Sequence, residues 1–527
     1  MTIATRCKGE IGLSGSRTEN VMRNAWVAFV TQIITILLNY VNRTVFIKIL
    51  VIEYLGLNGL FSNILWVLSF AELGIGNALI FSMYKPLGIQ DRDKLKSLMA
   101  LYKKAYSIIG TVIFFAGLAL VPFLNLMIKE PPDINENIYL IYILFLVNST
   151  ISYFFVYKRS IIIADQKNYI VLLYQQAFII LQIIGQIIFL YFTHEYVYYL
   201  VIHILCTFLN NIFIARKADK LYPYLKEGKA KPLIPEERKD IFRNIRALFL
   251  NKIGSVVLNG TDNIIISAFI GLTAVGLYSN YYLVLTAFTM VIGQIMSSFT
   301  ASVGNLNALS DVENKERVFY RIFFITAWIY GFFSIGLYLL LNPFIKLWLG
   351  EDFLLSAGVV FSIVLHFYIN GMHFAVYTYR ITMGLFVHYK YTPIFAAVMN
   401  IILSIVMAKY IGLMGVFLAT SISRFLTSGI VDPVLVYRKI FNKNPIKYYI
   451  VYFIYAFITI LLYFIFKIML SYIPLSGITG FIVKGLIITV LFNLLVFLLI
   501  RKTKDFQNIK IMLMKKLRIY RPKINEL

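Results

Sequence analysis

Residues 39–87 read NYVNRTVFIKILVIEYLGLNGLFSNILWVLSFAELGIGNALIFSMYKPL. The pattern predicts the end of one membrane helix, a short outer turn and the whole of a second helix. Arg43 and Glu72 interrupt otherwise apolar runs, and each costs about 2.5–3.5 kcal/mol at mid-bilayer. Gly56, Gly59, Gly74 and Gly76 punctuate the same stretch, allowing close helix approach or local bending. Charges so costly face a partner or a wet cavity. The stretch therefore reads as the wall of a transport cavity.

Working outward, the composition fits that reading. The chain has 527 residues, 60% of them hydrophobic and only 14% charged, which excludes an ordinary soluble globule. Apolar runs long enough to cross a bilayer recur throughout. We expect an all-α polytopic membrane protein with spans near 22–50, 55–84, 104–128, 138–157, 169–193, 197–215, 246–271, 276–301, 318–341, 357–380, 394–410, 413–436, 448–470 and 481–500. That is about fourteen. The first twenty residues have no apolar core and read as a polar cytoplasmic lead-in, not a cleaved signal.

The formal charge of +25 must be read by location. Lys85, Arg92, Lys94, Lys96, Lys103 and Lys104 share one set of loops with Lys158, Arg159, the 216–246 cluster and the tail from Arg501. The opposite loops offer little beyond Lys48, Lys129 and Lys346. Such asymmetry marks the cytoplasmic side, so both termini are expected there and no nucleic-acid partner is implied. Cys7 and Cys206 make neither a disulfide framework nor a zinc site. The tail KDFQNIKIMLMKKLRIYRPK, residues 504–523, spaces apolar residues helically among cations and suits the anionic inner leaflet, so membrane lipids are an expected partner.

Shifting the chain by 220 residues lays Asn24, Leu38, Asn39, Gly56 and Leu57 on Asn244, Leu258, Asn259, Gly276 and Leu277. The shift matches a six-span spacing, so the repeat keeps its orientation in the membrane. The expected organisation is an N-terminal lobe at 1–215, a cytoplasmic linker at 216–245 and a C-terminal lobe at 246–436. Accessory spans at 437–500 and a basic tail at 501–527 follow. The two six-helix lobes would form a parallel pseudo-repeat around a central cavity.

YLGLNGLFSNIL from Tyr54 and LSFAELGIGNALIFSMYKPL up to Leu87 closely resemble the opening of bacterial polysaccharide-repeat flippases of the Wzx type. These belong to the multidrug/oligosaccharidyl-lipid/polysaccharide exporter superfamily. TDNIIISAFIGLTAVGLYSNYY, Thr261 to Tyr282, is similar to the family's seventh and eighth spans. The resemblance implies alternating access in a bacterial inner membrane. It implies a substrate made of an oligosaccharide on polyprenyl (undecaprenyl) pyrophosphate, coupling to a proton or sodium ion, and association with polysaccharide (capsule or O-antigen lipopolysaccharide) assembly machinery. It also leaves a multidrug cation antiporter and a flippase for peptidoglycan's lipid precursor as alternatives.

Arg43, Lys252 and Arg424 are the bases well inside spans, and Glu72 and Asp262 the clearest acids. Cations suit a lipid-linked pyrophosphate whose charge must cross a low-dielectric slab, and a guanidinium can hold two phosphate oxygens. Arg43, Lys252, Arg424 and Arg380 are therefore the candidate substrate-binding residues, and Glu72 and Asp262 the candidate ion-coupling residues. Internal ion pairs are the competing reading, with Arg43–Asp262 the foremost pair because the repeat places them at similar depth. Arg380 and Asp432, near cytoplasmic span ends, are explained by snorkelling, though Arg380 would also suit the inner mouth. His366 and His373, seven residues apart, share a helix face, compatible with a titrating lining or with chance.

The tyrosine clusters at 196, 198 and 199 and at 278, 281 and 282 are expected mostly in interfacial belts, some stacking on sugars. No spacing suits a catalytic metal, so neither enzyme activity nor a cofactor is expected. Asp91-Arg92-Asp93 mimics a DxD site, but in a lysine-rich loop it reads as solvated. Short outer loops likewise argue against a membrane glycosyltransferase or polymerase.

Overall fold

A computed structural model describes residues 8–72, 75–227, 231–239, 241–243, 245, 260–309, 311–385, 389 and 391–501. The described chain is helical, as a run of apolar segments demands: in lipid a single segment satisfies its backbone only by coiling on itself. Helix α1 is Lys8–Ile49, α2 Ile52–Leu68, α3 Ile75–Gly88 and α4 Arg92–Leu120. Then follow α5 Ile138–Ile151, α6 Val156–Ala164, α7 Asn168–Thr193, α8 Tyr196–Leu221, α9 Asp262–Phe269 and α10 Leu272–Leu309. After these come α11 Val312–Leu349, α12 Ala357–Met372, α13 Phe374–Thr382, α14 Thr392–Ile411 and α15 Leu413–Leu426. The last are α16 Ser428–Val436, α17 Ile446–Ser471 and α18 Gly477–Ile500.

Among the described residues eleven helices are long and apolar enough to cross a membrane, and up to twelve if the pair at Ile138–Phe154 and Val156–Ala164, bent by 50°, counts as one span. The two further expected spans, 55–84 and 246–271, are respectively broken and partly outside the described residues. The break corrects the expectation of one continuous second helix. A 3-10 turn at Ser69–Glu72 separates α2 from α3, and the Ser69 hydroxyl donates to the Trp66 carbonyl at 2.6 Å. The turn puts Glu72 at a helix interruption, where a costly acid can be accommodated.

Local chemistry fixes the other ends. Asp91 caps α4 by accepting from the Lys94 amide at 2.9 Å, and Asp93 pairs with Lys231 at 3.0 Å. The Asp-Arg-Asp triplet is thus a helix start. Asn137 caps α5 through the Tyr139 amide at 2.8 Å.

Contacts group the chain into two compact units, Met1–Val291 with Leu385–Val431, and Ile292–Gly384 with Asp432–Leu527. The lobe boundaries expected from the repeat stand as a separate proposal beside this grouping. In the first unit, α1 packs on α7, α7 on α8, and α9 on α2, α14 and α15. Its core holds Phe46, Phe61, Tyr142, Phe145, Tyr196 and Tyr199. A second cluster around Met83, Tyr102, Tyr106 and Tyr153 lies where α3, α4 and α6 meet. In the second unit, α11 is the axle for α12, α13, α17 and α18.

Tyrosine use differs from the belt expectation. Tyr196 and Tyr281 are fully buried, while Tyr198 and Tyr282 are exposed. In each cluster one part packs between helices and the rest faces outward.

Candidate functional site

A cavity of about 730 Å³ opens within the first unit. Asn39, Asn42 and Arg43 reach it from α1, Asn58 and Trp66 from α2, and Glu72 from the 3-10 turn. Asn148 of α5, Gln182 of α7, and Tyr199 and His203 of α8 complete its polar wall. Residues 39 and 43 share a helix face because they are four apart. The neighbouring Asn42 turns toward α8, donating to Tyr199 Oη at 2.8 Å.

Arg43 Nη1 donates to Ser279 Oγ at 2.7 Å and to Asn280 Oδ1 at 3.3 Å. Ser279 in turn donates to the Gly276 carbonyl at 2.7 Å. Among the described residues no carboxylate lies within ion-pair distance of Arg43, so the expected Arg43–Asp262 pair is not formed. Asp262 instead opens α9 and accepts from Thr420 Oγ1 of α15 at 3.3 Å. The charge it feels is that of Arg424, one turn beyond Thr420 on the same helix. The repeat placed the two residues at similar depth, but α9 packs on α14 and α15, and these supply the partners.

Around Asp262 oxygen atoms gather. Asn400 of α14 donates to Thr420 Oγ1 at 2.9 Å and reaches Ser404 at 3.5 Å. Asn400 Oδ1 is buried and accepts no hydrogen bond from the described residues. One carboxylate with several neutral oxygens is a hard-cation or proton environment.

Glu72 Oε1 accepts from Tyr106 Oη at 2.9 Å. Gly76 explains how the phenol gets there: a Cβ at that position would stand 3.1 Å from Tyr102 Oη and closer still to Tyr106 Oη. The glycine of the AELGIG stretch leaves room for two tyrosine hydroxyls beside the acid.

Arg380 and Asp432 correct the snorkelling reading. In the second unit Arg380 is 5% exposed and Asp432 0%, and Arg380 Nε lies 3.1 Å from Asp432 Oδ1. His373 Nε2 stands 2.8 Å from Oδ2 of the same carboxylate. Each charge is compensated inside the helices, so neither needs the interface. His366 and His373 lie on one span, Ala357–Thr382. At the step from α12 to α13 the helical bonds continue, the His373 amide donating to the Ile369 carbonyl at 3.3 Å and the Tyr377 amide to the His373 carbonyl at 3.0 Å. Lys252 lies outside the described residues.

Sequence reading missed the amide wall, the Ser279–Asn280 partners and the Asn400–Thr420 pair. Their signal was present as neutral polar residues inside apolar runs, a class less conspicuous than charge.

The family model described as "Polysaccharide biosynthesis protein" matches residues 21–300. No curated protein sequence matches the chain. Among solved structures, the lipid II flippase MurJ in an inward closed conformation has a TM-score of 0.61 at 17% identity, covering 91% of this chain and 98% of its own. An inward-facing multidrug resistance MATE family transporter of the MOP superfamily has 0.61 at 15%, covering 76% and 93%. A MOP superfamily transporter from Pyrococcus furiosus, whose binding pocket is described as reversed in polarity, has 0.51 at 13%, covering 79% and 94%. At these identities the likeness is one of fold, while the match over residues 21–300 spans more than half the chain. The chain is therefore a member of the polysaccharide biosynthesis protein family, a multi-pass membrane protein built on the fold of MOP-superfamily transporters.

Proposed function

We propose that this protein is a flippase that moves a polyprenyl (undecaprenyl)-pyrophosphate oligosaccharide from the cytoplasmic to the outer leaflet of a bacterial inner membrane. The observation that carries the reading is Arg43: a cation on a cavity wall, held by neutral groups and lacking a carboxylate partner among the described residues. Such a group is costly in a membrane until an anion arrives, and a pyrophosphate is a matching anion. The amides of Asn39, Asn58, Asn148 and Gln182 and the indole of Trp66 supply hydrogen bonds and a flat apolar face, which sugar rings require.

The pyrophosphate and sugars enter from the cytoplasm while the polyprenyl tail stays in lipid. The cavity then opens outward by alternating access. Lys252 and Arg424 are further candidate contacts for the head group. Arg380 serves only if its pair with Asp432 opens. Asp262 and its oxygen-rich surroundings, with Glu72, carry the coupling proton or sodium ion. The chain performs transport and no covalent chemistry.

Reconstituted vesicles containing the purified protein and a fluorescent polyprenyl-pyrophosphate oligosaccharide, read with an impermeant quencher, test this. Gradient-sensitive movement of the glycolipid that is lost in Arg43→Ala is the expected result. Organic-cation uptake without glycolipid movement would favour the antiporter. Movement of only the peptidoglycan lipid precursor would assign the chain to that branch.

A further inference from the structure

In the second unit His373, Asp432 and Arg380 form a buried group that the glycolipid reading does not use. We propose that these three residues form an intramembrane proton-binding site, separate from the oxygen cluster at Asp262, through which pH acts on the second unit. The ligand is the proton itself, taken up at the imidazole of His373.

The geometry carries this. Asp432 is 0% exposed and stands between two nitrogen bases, one at 2.8 Å and the other at 3.1 Å. With His373 neutral, the guanidinium and the carboxylate cancel and the buried group carries no net charge. Adding one proton leaves a net positive charge in a low-dielectric interior. That state requires either a new anion or the admission of water. Proton uptake and a change of environment are therefore linked, which is the requirement for a gradient to drive a conformational change. Guanidinium and carboxylate groups ordinarily titrate far from neutral pH and an imidazole near it, so it is the histidine that gives the group this property. The Asp432 oxygens stand at ion-pair distance without hydrogen-bond alignment, so their lone pairs are not committed by direction to one partner.

The helix irregularities near the group lie on the Asp432 side. On the other side the helical bonds run through His373, whose amide donates to the Ile369 carbonyl at 3.3 Å. Gly371, two residues before His373, lies against the ring of Tyr330, leaving no room for a side chain. Pro433 follows Asp432 inside α16, and a π-turn spans Tyr437–Phe441. Proline and π-turns are the ordinary causes of bending in helices. A charge change here thus acts beside a proline and a π-turn on the Asp432 helix.

Among the described residues, the titratable and charged groups around the site also include Tyr368 of α12 and Tyr437 beyond α16, which interact with Tyr448, and Glu316 of α11, which interacts with Tyr437. α11 presents Tyr330 and Phe319, the latter against Tyr379. α13 presents Tyr377, whose ring lies 6.2 Å from that of His373 and 5.3 Å beneath the Arg380 guanidinium. α17 presents Tyr448, which feels the charge of Asp432. Phenols ordinarily titrate near pH 10 and an imidazole near neutral, so the proton is assigned to His373.

The test uses full-length protein in nanodiscs with His194, His203, His366 and His388 replaced by Gln, so that the one remaining imidazole is His373. Its NMR signal is followed from pH 5 to 8.5, with hydrogen exchange over 371–384 and 428–441. We expect a single titration in that range, with exchange in both segments changing at the same midpoint. Asp432→Asn should lower the proton affinity about tenfold or more, and Arg380→Gln should raise it, because an opposite charge favours the protonated form and a like charge opposes it. Opposite shifts are not expected of a residue that only holds helices together. An imidazole that does not titrate, or exchange that ignores the titration, overturns the proposal. Where Asp432→Asn or Arg380→Gln fails to fold, the titration and exchange of the single-histidine protein decide alone. None of these readouts involves a glycolipid, so failure here leaves the flippase reading standing, and the reverse.

Discussion

Gly56 and Gly276, 220 residues apart, back on to each other in mirrored fashion. Gly56 lies against the Leu272 carbonyl and Gly276 against the Ile52 carbonyl, each carbonyl belonging to the residue four before the other glycine. Thr273 also donates to Glu53 at 3.0 Å, again 220 apart. Two positions that the repeat aligns thus meet each other directly, in an approximately two-fold local arrangement.

That relation predicts the effect of filling it. A Cβ on Gly276 would stand 2.6 Å from the Ile52 oxygen and 3.4 Å from the Gly56 nitrogen. Backbone cannot swing aside as a side chain can, so Gly276→Val and Gly56→Val should each destabilise by about 1–3 kcal/mol or more. Thermal unfolding of the purified proteins in one detergent measures this. Gly336→Ala, where a Cβ meets nothing within 4 Å, is the control and should change little.

Arg43 should recognise anionic head groups in equilibrium as well as in transport. Polyprenyl pyrophosphate at a hundred times its dissociation constant should stabilise the wild-type protein by about 2.7 kcal/mol. Arg43→Ala should lose that shift while remaining inserted, and Arg43→Lys should keep part of it, because an ammonium lacks the two-pronged contact. Ligand-dependent melting checks this, and an equal shift in Arg43→Ala would remove the residue from the site.

Asp262→Asn removes the single formal negative charge from its oxygen cluster. The expected outcome is glycolipid movement that no longer responds to an imposed proton or sodium gradient, with head-group binding retained. Thr420→Val should act in the same direction and more weakly, since it deletes one neutral oxygen at 3.3 Å. Flux with and without each gradient is the measurement, and unchanged gradient dependence in Asp262→Asn would exclude the residue from coupling.

Gly76→Ala should push Tyr106 off Glu72, given the space a Cβ would claim there. Tyr106→Phe deletes the same bond without the added bulk. A hydrogen bond to a charged group contributes about 1.5–3 kcal/mol, so both variants should melt lower, and Gly76→Ala by more. A Gly76→Ala protein as stable as wild type would show that the phenols relocate freely.

Much of this was legible because lipid leaves the chain few choices. Apolar runs had to become helices, and Arg43, Glu72 and Asp262 were conspicuous against them. What the letters hid was partnership. Arg43 and Asp262 looked like a pair because the repeat gave them equal depth, yet depth does not say which helix turns toward which. Arg380 and Asp432, 52 residues apart in sequence, looked like two surface charges and are one buried pair with His373. The break after Ser69 was hidden for a different reason: AELGIG carries no proline, and a 3-10 turn in an apolar run leaves hydropathy untouched. Tyrosine misled most simply, since a phenol suits an interface and a packed helix crossing equally well.

The paired glycine contact also constrains which substitutions the two positions accept. A surface that meets a copy of itself across a two-fold is the interface of a homodimer, here made within one polypeptide. Gly56 and Gly276 are therefore separate positions that one mutation cannot change together, and bulk added at either meets the other's helix backbone.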